Sequence, residues 1–420
     1  REYLVEAPGK NLHLEHIEDE ILNNGVEGGR AAINFIQSLR DMLAGTSKSS
    51  VNMSVKWDGA PAIFAGVDPS DGQFFVAKKS VFNKDPILYK KVSDIDLGGY
   101  LGDMFKVALA EFSKLGIKNV IQGDLLYLKS TLGTEIADHI TFQPNTIMYA
   151  VPKDSEIGRK ISKSKLGIVW HTTYKGETLE GMTASFGMDQ PLKQVPSVWH
   201  TNADYKDLSG TVKFTGAETA AVTKNLSEAG KVFRQINSKK IRDFATLQES
   251  LPASAQWKTY DNSLIRQGKT ITNPRMHIAD YFKFVHEAFV KITATKKTEK
   301  SQKQWMGRKD AFFKELRKHT SNMVAVSTFM MHIVDAKMKI VKKLNSIKQL
   351  GMSTFIKTKD GFKVTSPEGY VVADSSQRAV KLVDRLEFSF NNFTGYLFSY
   401  LIRDELSLHF IFSAFERLLI

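Results

Sequence analysis

The 420-residue chain has no cysteine, which excludes disulfides, thiolate metal sites and cysteine nucleophiles. Stability must then come from packing, and any metal must be held by oxygen or imidazole, with magnesium or manganese the ions to expect. No stretch approaches the ~20 apolar residues of a membrane span, and the first residues lack the charged-then-apolar order of a signal sequence. The expectation is a cytoplasmic protein with no membrane partner. Internal repeats and low-complexity runs are missing too. What remains is 42% hydrophobic and 25% charged, ordinary for a globular protein with room for two or three domains.

The formal net charge of +13 is unevenly placed. Residues 221–350 hold 26 Lys and Arg against 10 Asp and Glu, whereas the other 290 residues hold 32 against 35. One segment therefore carries the whole excess, as a surface for a polyanion does, because clustered cations release the counterions condensed on nucleic acid. Solvated helix faces are the plainer alternative. Within the segment, Lys296, Lys297, Lys300, Lys303, Arg308 and Lys309 form a run at a helix boundary and are the candidate nucleic-acid contacts.

Apolar spacings of three and four predict helices over 14–24 and 29–44, near 100–115, and over 277–293, 303–318 and 322–346. Short β-prone stretches punctuated by Gly, Asp and Pro predict strands at 51–56, 62–66, 73–78, 119–127, 146–151, 166–174, 353–358 and 368–373. The organisation read from this is an N-terminal helical segment (1–49), an α+β core in two parts (50–215 and 351–385), a basic all-helical insertion between them (216–350) and a helical tail (386–420).

Chemistry concentrates in the core. Lys56-Trp57-Asp58-Gly59 places a lysine at a strand end beside an acid and a chain-turning glycine. An amine attacks phosphorus only when neutral, so such a lysine needs burial, a neighbouring cation or a metal to lower its pKa. Later strands supply partners: Lys78-Lys79-Ser80 offers cations and a hydroxyl, Gly123-Asp124 an acid, and Gly167 to Tyr174 an aromatic and hydroxyl-bearing strand that includes Trp170. Glu368-Gly369-Tyr370-Val371 brings another acid at a strand start, and Lys381 stands between apolar neighbours.

In this order the residues resemble the covalent nucleotidyltransferases, the family of ATP-dependent RNA ligases, DNA ligases and mRNA capping enzymes. Lys56 to Gly59 is similar to the family's Lys-x-Asp-Gly nucleophile motif and Glu368 to Val371 to its Glu-Gly-aliphatic-Val motif. The resemblance covers 50–180 and 352–385 and implies an antiparallel-sheet nucleotidyltransferase core, ATP-grasp-like, interrupted by the helices. It implies ATP and Mg2+ (or Mn2+) as cofactors. Lys56 would be the nucleophile, Lys381 the α-phosphate contact and Asp58 a holder of Lys56 or the metal shell. Lys78 and Lys79 would meet phosphate and ribose oxygens, Asp124 the ribose, Trp170 the adenine face, and Glu368 the metal.

The implied activity joins nucleic-acid 5′-phosphate and 3′-hydroxyl ends through a lysyl-adenylate. RNA is the somewhat preferred strand, because the 35 residues after Arg385 are too few for the oligonucleotide-binding barrel of DNA ligases. An enzyme that loads a nucleotide onto a protein or RNA end, and a ligase-like core that only binds nucleic acid, remain as alternatives. Three positions depart from the family: Pro61 where arginine is common, Asp124 for glutamate, and Val383 for a second lysine. The opening Leu14 to Asp19 resembles proteins of tailed phages, which would place the activity in a host cytoplasm.

Gly45 to Ser49 lacks the glycine directly before its lysine that a phosphate loop requires and reads as a linker. His13 and His16 share a helical face without a third ligand nearby. Tyr281, Phe282, Phe284 and Phe289 fall at helix-core spacing.

Overall fold

The short β-prone stretches of the first half form strands, and the three- and four-residue apolar spacings of the second half form helices. A computed structural model describes residues 15–45, 52–203, 214–346, 352–358, 361–364, 369–373 and 379–389. Its strands are β1 (Glu15–His16), β2 (Asn52–Lys56), β3 (Ala62–Val67), β4 (Phe74–Ala77), β5 (Val120–Leu128), β6 (His139–Phe142), β7 (Met148–Pro152), β8 (Leu166–Lys175), β9 (Thr183–Phe186), β10 (Val198–Asn202), β11 (Ser353–Thr358), β12 (Gly361–Val364), β13 (Gly369–Ala373) and β14 (Ala379–Leu382). Its helices are α1 (Glu20–Leu43), α2 (Gly99–Phe112), α3 (Glu156–Lys163), α4 (Gly216–Phe233), α5 (Ser238–Glu249), α6 (Trp257–Arg266), α7 (Pro274–Ala294) and α8 (Glu299–Asn345).

The strands make three sheets: sheet A in the order β1-β14-β13-β2, sheet B in the order β10-β8-β5-β3-β4 with β9 on β8, and sheet C in the order β12-β11-β7-β6. Pairings are antiparallel except β1 on β14 and β10 on β8. The class is α+β. No helix among the described residues is long and apolar enough to cross a membrane.

Residues 15 and 16 do not begin a helix, as their spacing suggested, but form the edge strand of sheet A; the helix starts at Glu20 and breaks at Asn24–Gly25. Conversely, 303–318 and 322–346 are one helix, α8. Thr320, Ser321 and Asn322 carry no glycine or proline stop, and buried Leu316, Met323, Val326 and Met330 continue the apolar stripe across them. Asn322 instead accepts the Asn237 backbone N–H at 2.8 Å, fixing the turn before α5. The helix starts follow capping chemistry. Thr215 and Glu218 form a reciprocal box at α4, and Asn273 caps α7 with Pro274 behind it.

The helices read as an insertion share one core with α1 and with sheet A. Ile21, Ile36 and Leu39 of α1, Tyr281 and Phe289 of α7, and Phe329 and Ile333 of α8 pack in the same cluster as Tyr370, Val380 and Leu382. Tyr281 and Phe289 are thus core, as their spacing indicated. One face of sheet A is therefore covered by helices, and Lys56 and Lys381 lie on the opposite face.

Helix α2 lies against sheet B and is anchored by Glu111, whose buried carboxylate receives Lys114 Nζ (2.6 Å), Lys165 Nζ (2.7 Å) and Ser197 Oγ (2.6 Å). Burial alone would raise its pKa, but the three donors outweigh burial and hold it at about 2. A carboxylate held below its unfolded value adds stability that is complete above pH ~4.5 and lost as pH falls toward ~2. Glu111→Gln is expected to lower the unfolding free energy by roughly 2 kcal/mol at pH 7, discounted because both lysines are half-exposed. Denaturant titration across pH checks this: the gap to wild type should close below pH ~3.

Candidate active site

Strand alternation decides which side chains meet. Lys56 pairs with Gly369, and Lys381 pairs with Val371 on the other side of β13. Gly369 and Val371 are two apart, so Lys56, Gly369, Val371 and Lys381 share one face of sheet A. Tyr370, Val380 and Leu382 point the other way into the helical core. Tyr370 reaches through it to Asn345 Oδ1 at the end of α8, 2.9 Å away. Two strand spacings and a two-residue offset put the Lys56 and Lys381 backbones about 12 Å apart, a gap that two lysine side chains can close on a single phosphate. Gly369 adopts φ +148°, and a Cβ there would approach the Leu382 carbonyl to 2.7 Å, so the position opposite Lys56 requires glycine.

The loop after Lys56 is pinned at each residue. Trp57 is buried against Tyr149 and Trp199, with ring centroids 5.3 and 6.5 Å away. Asp58 donates its backbone N–H to Tyr149 Oη (2.9 Å), and its carboxylate accepts from Asn145 Nδ2 (2.8 Å), Thr146 N (2.8 Å) and Ile147 N (2.7 Å). Asp58 therefore holds the loop to the β6–β7 turn through its carboxylate instead of gripping Lys56, the catalytic role expected of it from the sequence. At Gly59 a Cβ would come within 2.6 Å of Asp124 Cβ. The chain then exchanges backbone hydrogen bonds with Leu125 from Ala60 N and Pro61 O.

That close approach brings Asp124 beside the loop. Asp124 pairs with Ala62, at the start of β3. Phe64 pairs on its other side with Ala77, so half-exposed Lys78 and exposed Lys79 follow at this same end of sheet B. Lys78, Lys79 and Asp124 thus cluster where the Lys56 loop enters the sheet. His171 Nε2 lies 3.6 Å from Asp124 Oδ2 while its Nδ1 meets Thr172 Oγ1 at 2.7 Å. The sequence reading passed over His171, whose signal was a titratable ring inside an apolar strand.

Trp170 is the second correction. It is fully buried, edge-on to Phe112 at 5.1 Å, in the core between α2 and sheet B, so it offers no face to a base. Glu368 lies outside the described residues, as do His13 and residues 46–49. Among the described residues no three His, Asp or Glu side chains group to hold a metal. The described side chains of the Lys56 face are two lysines, a valine and, beside Lys381 at the sheet edge, the lone imidazole of His16, a donor set dominated by cations that does not fit a metal ion.

The segment after β14 closes the face. A turn at 385–389 is capped by Asp384, whose carboxylate accepts from Leu386 N and Glu387 N, both at 3.1 Å. It carries Phe388, whose ring lies 5.8 Å from Lys56 Nζ. Arg385 ties it to Asp19 (3.0 Å), Glu18 (3.4 Å) and Asn262. Glu18 also takes the Lys337 ammonium at 2.8 Å, both groups buried. Burial would raise Glu18, but Lys337, His16 and Arg385 outweigh it and hold it at about 2; burial does push Asp19 up, to about 6. His16 pairs with Lys381 across the sheet edge, not on a helix, and burial keeps its pKa well below the usual value.

The basic run divides. On α8, Lys300, Lys303, Lys314 and Lys318 project opposite buried Phe312, Leu316, His319 and Met323, an outward stripe about 27 Å long. Lys296 and Arg308 instead lie against Trp305, each 4.9 Å from its ring. Lys297 is exposed in the preceding turn, and Lys309 is half-buried.

No curated protein and no solved structure matches the chain. A family model described as a family of unknown function (DUF6267) matches residues 11–396, and the chain belongs to that family.

Proposed function

We propose that the protein is an ATP-dependent polynucleotide ligase that works through a lysyl-adenylate on Lys56. The observation that carries the reading is the shared face of Lys56 and Lys381, far apart in sequence and brought together across β13. Such an arrangement suits an in-line attack on a phosphate: one amine forms the bond while the other balances charge on the phosphoryl oxygens.

The neutral Lys56 amine attacks the α-phosphorus of ATP; the N–P bond forms as the bond to pyrophosphate breaks, and the amine's proton passes to solvent. A 5′-phosphate oxygen of the strand then attacks the same phosphorus, breaking the N–P bond and restoring Lys56. The 3′-hydroxyl finally attacks the activated 5′-phosphate, a phosphodiester forms and AMP leaves. Magnesium, when bound with the triphosphate, supplies charge neutralisation. Lys78, Lys79 and Asp124, with His171 beside the last at 3.6 Å, would meet the nucleotide's phosphates and sugar.

Incubation with labelled ATP or GTP and magnesium, followed by nicked DNA, nicked RNA or single-stranded RNA bearing a 5′-phosphate, tests the proposal. An adduct that is discharged into sealed strands supports a ligase. An adduct discharged only onto an end or a protein indicates a transferase, and nucleic-acid binding without any adduct indicates a core that only binds.

The strand is assigned to the outer stripe of α8. Lys300→Glu, Lys303→Glu, Lys314→Glu and Lys318→Glu together are expected to reduce the slope of log affinity against log salt by about 3 to 4. Filter binding between low and physiological salt reads this, and self-labelling should be unchanged. An unaltered slope would remove the stripe from the interface.

A further inference from the structure

We infer that Phe388 is the nucleobase platform of the Lys56 site and that its ligand is a nucleoside triphosphate; the inference rests on the reading of Lys56 above. The aromatic assigned to the base by resemblance, Trp170, is sealed inside the core. Phe388 is 36% exposed, and its ring lies 5.8 Å from Lys56 Nζ. A ring this close to the attacking amine is within the span of one nucleotide, whose α-phosphate must meet that amine.

The ring is also held in place. Asp384 caps its turn, and Arg385, one turn earlier, is fastened to Glu18 and Asp19. An exposed aromatic on an anchored turn, beside a face that carries two lysines, combines a π-surface with cations, the pairing that recognises a base and its phosphates together.

Calorimetric binding of ATP to the full chain without magnesium, where no transfer occurs, tests the platform directly. Phe388→Ala and Phe388→Leu are expected to weaken ATP binding about 10-fold or more, and Phe388→Trp to keep it. Inorganic tripolyphosphate should bind all four proteins alike. A Leu variant that binds ATP as tightly as wild type, an Ala variant that loses tripolyphosphate equally, or a wild type that binds no ATP would each overturn the inference. Labelling with magnesium separates the two readings. A wild type that forms no adduct while the Phe388 variants still weaken ATP binding removes Lys56 as nucleophile and leaves the platform. An adduct together with unchanged ATP binding in Phe388→Ala removes the platform alone.

Discussion

Given α-labelled ATP and magnesium, the Lys56→Ala protein is expected to form no covalent adduct, while the wild type forms one that is labile to acid. The effect should be all-or-none, because the substitution removes the bond-forming atom rather than one of several stabilising contacts. Lys56→Arg sharpens the result. It keeps a cation at the strand end and beside Phe388, but a guanidinium stays protonated and cannot attack. Loss of label in both variants, with unchanged melting, assigns the chemistry to the amine. Lys381→Met leaves the nucleophile in place and should slow labelling by about 10²- to 10³-fold, the scale of removing one charge-stabilising group from a reaction centre. Adduct formation at wild-type rate in Lys56→Ala would discard the assignment.

The second large effect lies behind the sheet. Lys337 and Glu18 are 1% and 3% exposed and 2.8 Å apart. Lys337→Ala leaves a buried carboxylate whose closest remaining described ion-pair partner is Arg385, at 3.4 Å, and is expected to cost about 3–5 kcal/mol of unfolding free energy. The double variant Lys337→Met with Glu18→Gln should recover much of the loss, since a buried ion pair replaced as a whole is often near neutral. Because Glu18 is held at about 2, the pair's contribution is complete above pH ~4.5 and fades as pH falls toward ~2. The Lys337→Ala deficit should therefore be largest near neutrality. A deficit that stays constant down to pH 3, measured by denaturant titration, would show that lost packing and not charge is responsible.

The sequence revealed much of the sheet and less of the site. The strands that carry Lys56 and Asp124, and the one that leads into Lys78, announce themselves by short β-prone runs bounded by Gly, Asp and Pro, and motif order suggests that β2, β13 and β14 belong together. Whether Lys56 and Lys381 share a face depends on register, which the sequence does not print; the glycine opposite Lys56 is its trace. Trp170 was misread because β8 is covered on both faces, by the α2 core and by the cluster around Tyr127 and Trp199, so alternation along it does not separate inside from outside. Asp58 was misread because its partners, Asn145 to Ile147, are distant in the chain, and adjacency to Lys56 was the only local signal. His16 looked helical because Leu14, Ile17 and Ile21 fit a strand that turns into a helix as well as they fit one continuous helix.

The order in which sheet A receives its strands has a consequence during synthesis. Lys56 emerges from the ribosome early, but its only paired neighbour among the described strands, β13, and the strand of Lys381 are translated after the whole helical layer. A nascent chain that stops short of residue 369 thus holds the lysine without the strand beside it. Non-local pairings of this kind form slowly, so the face shared by Lys56 and Lys381 is completed late and is missing from incomplete chains.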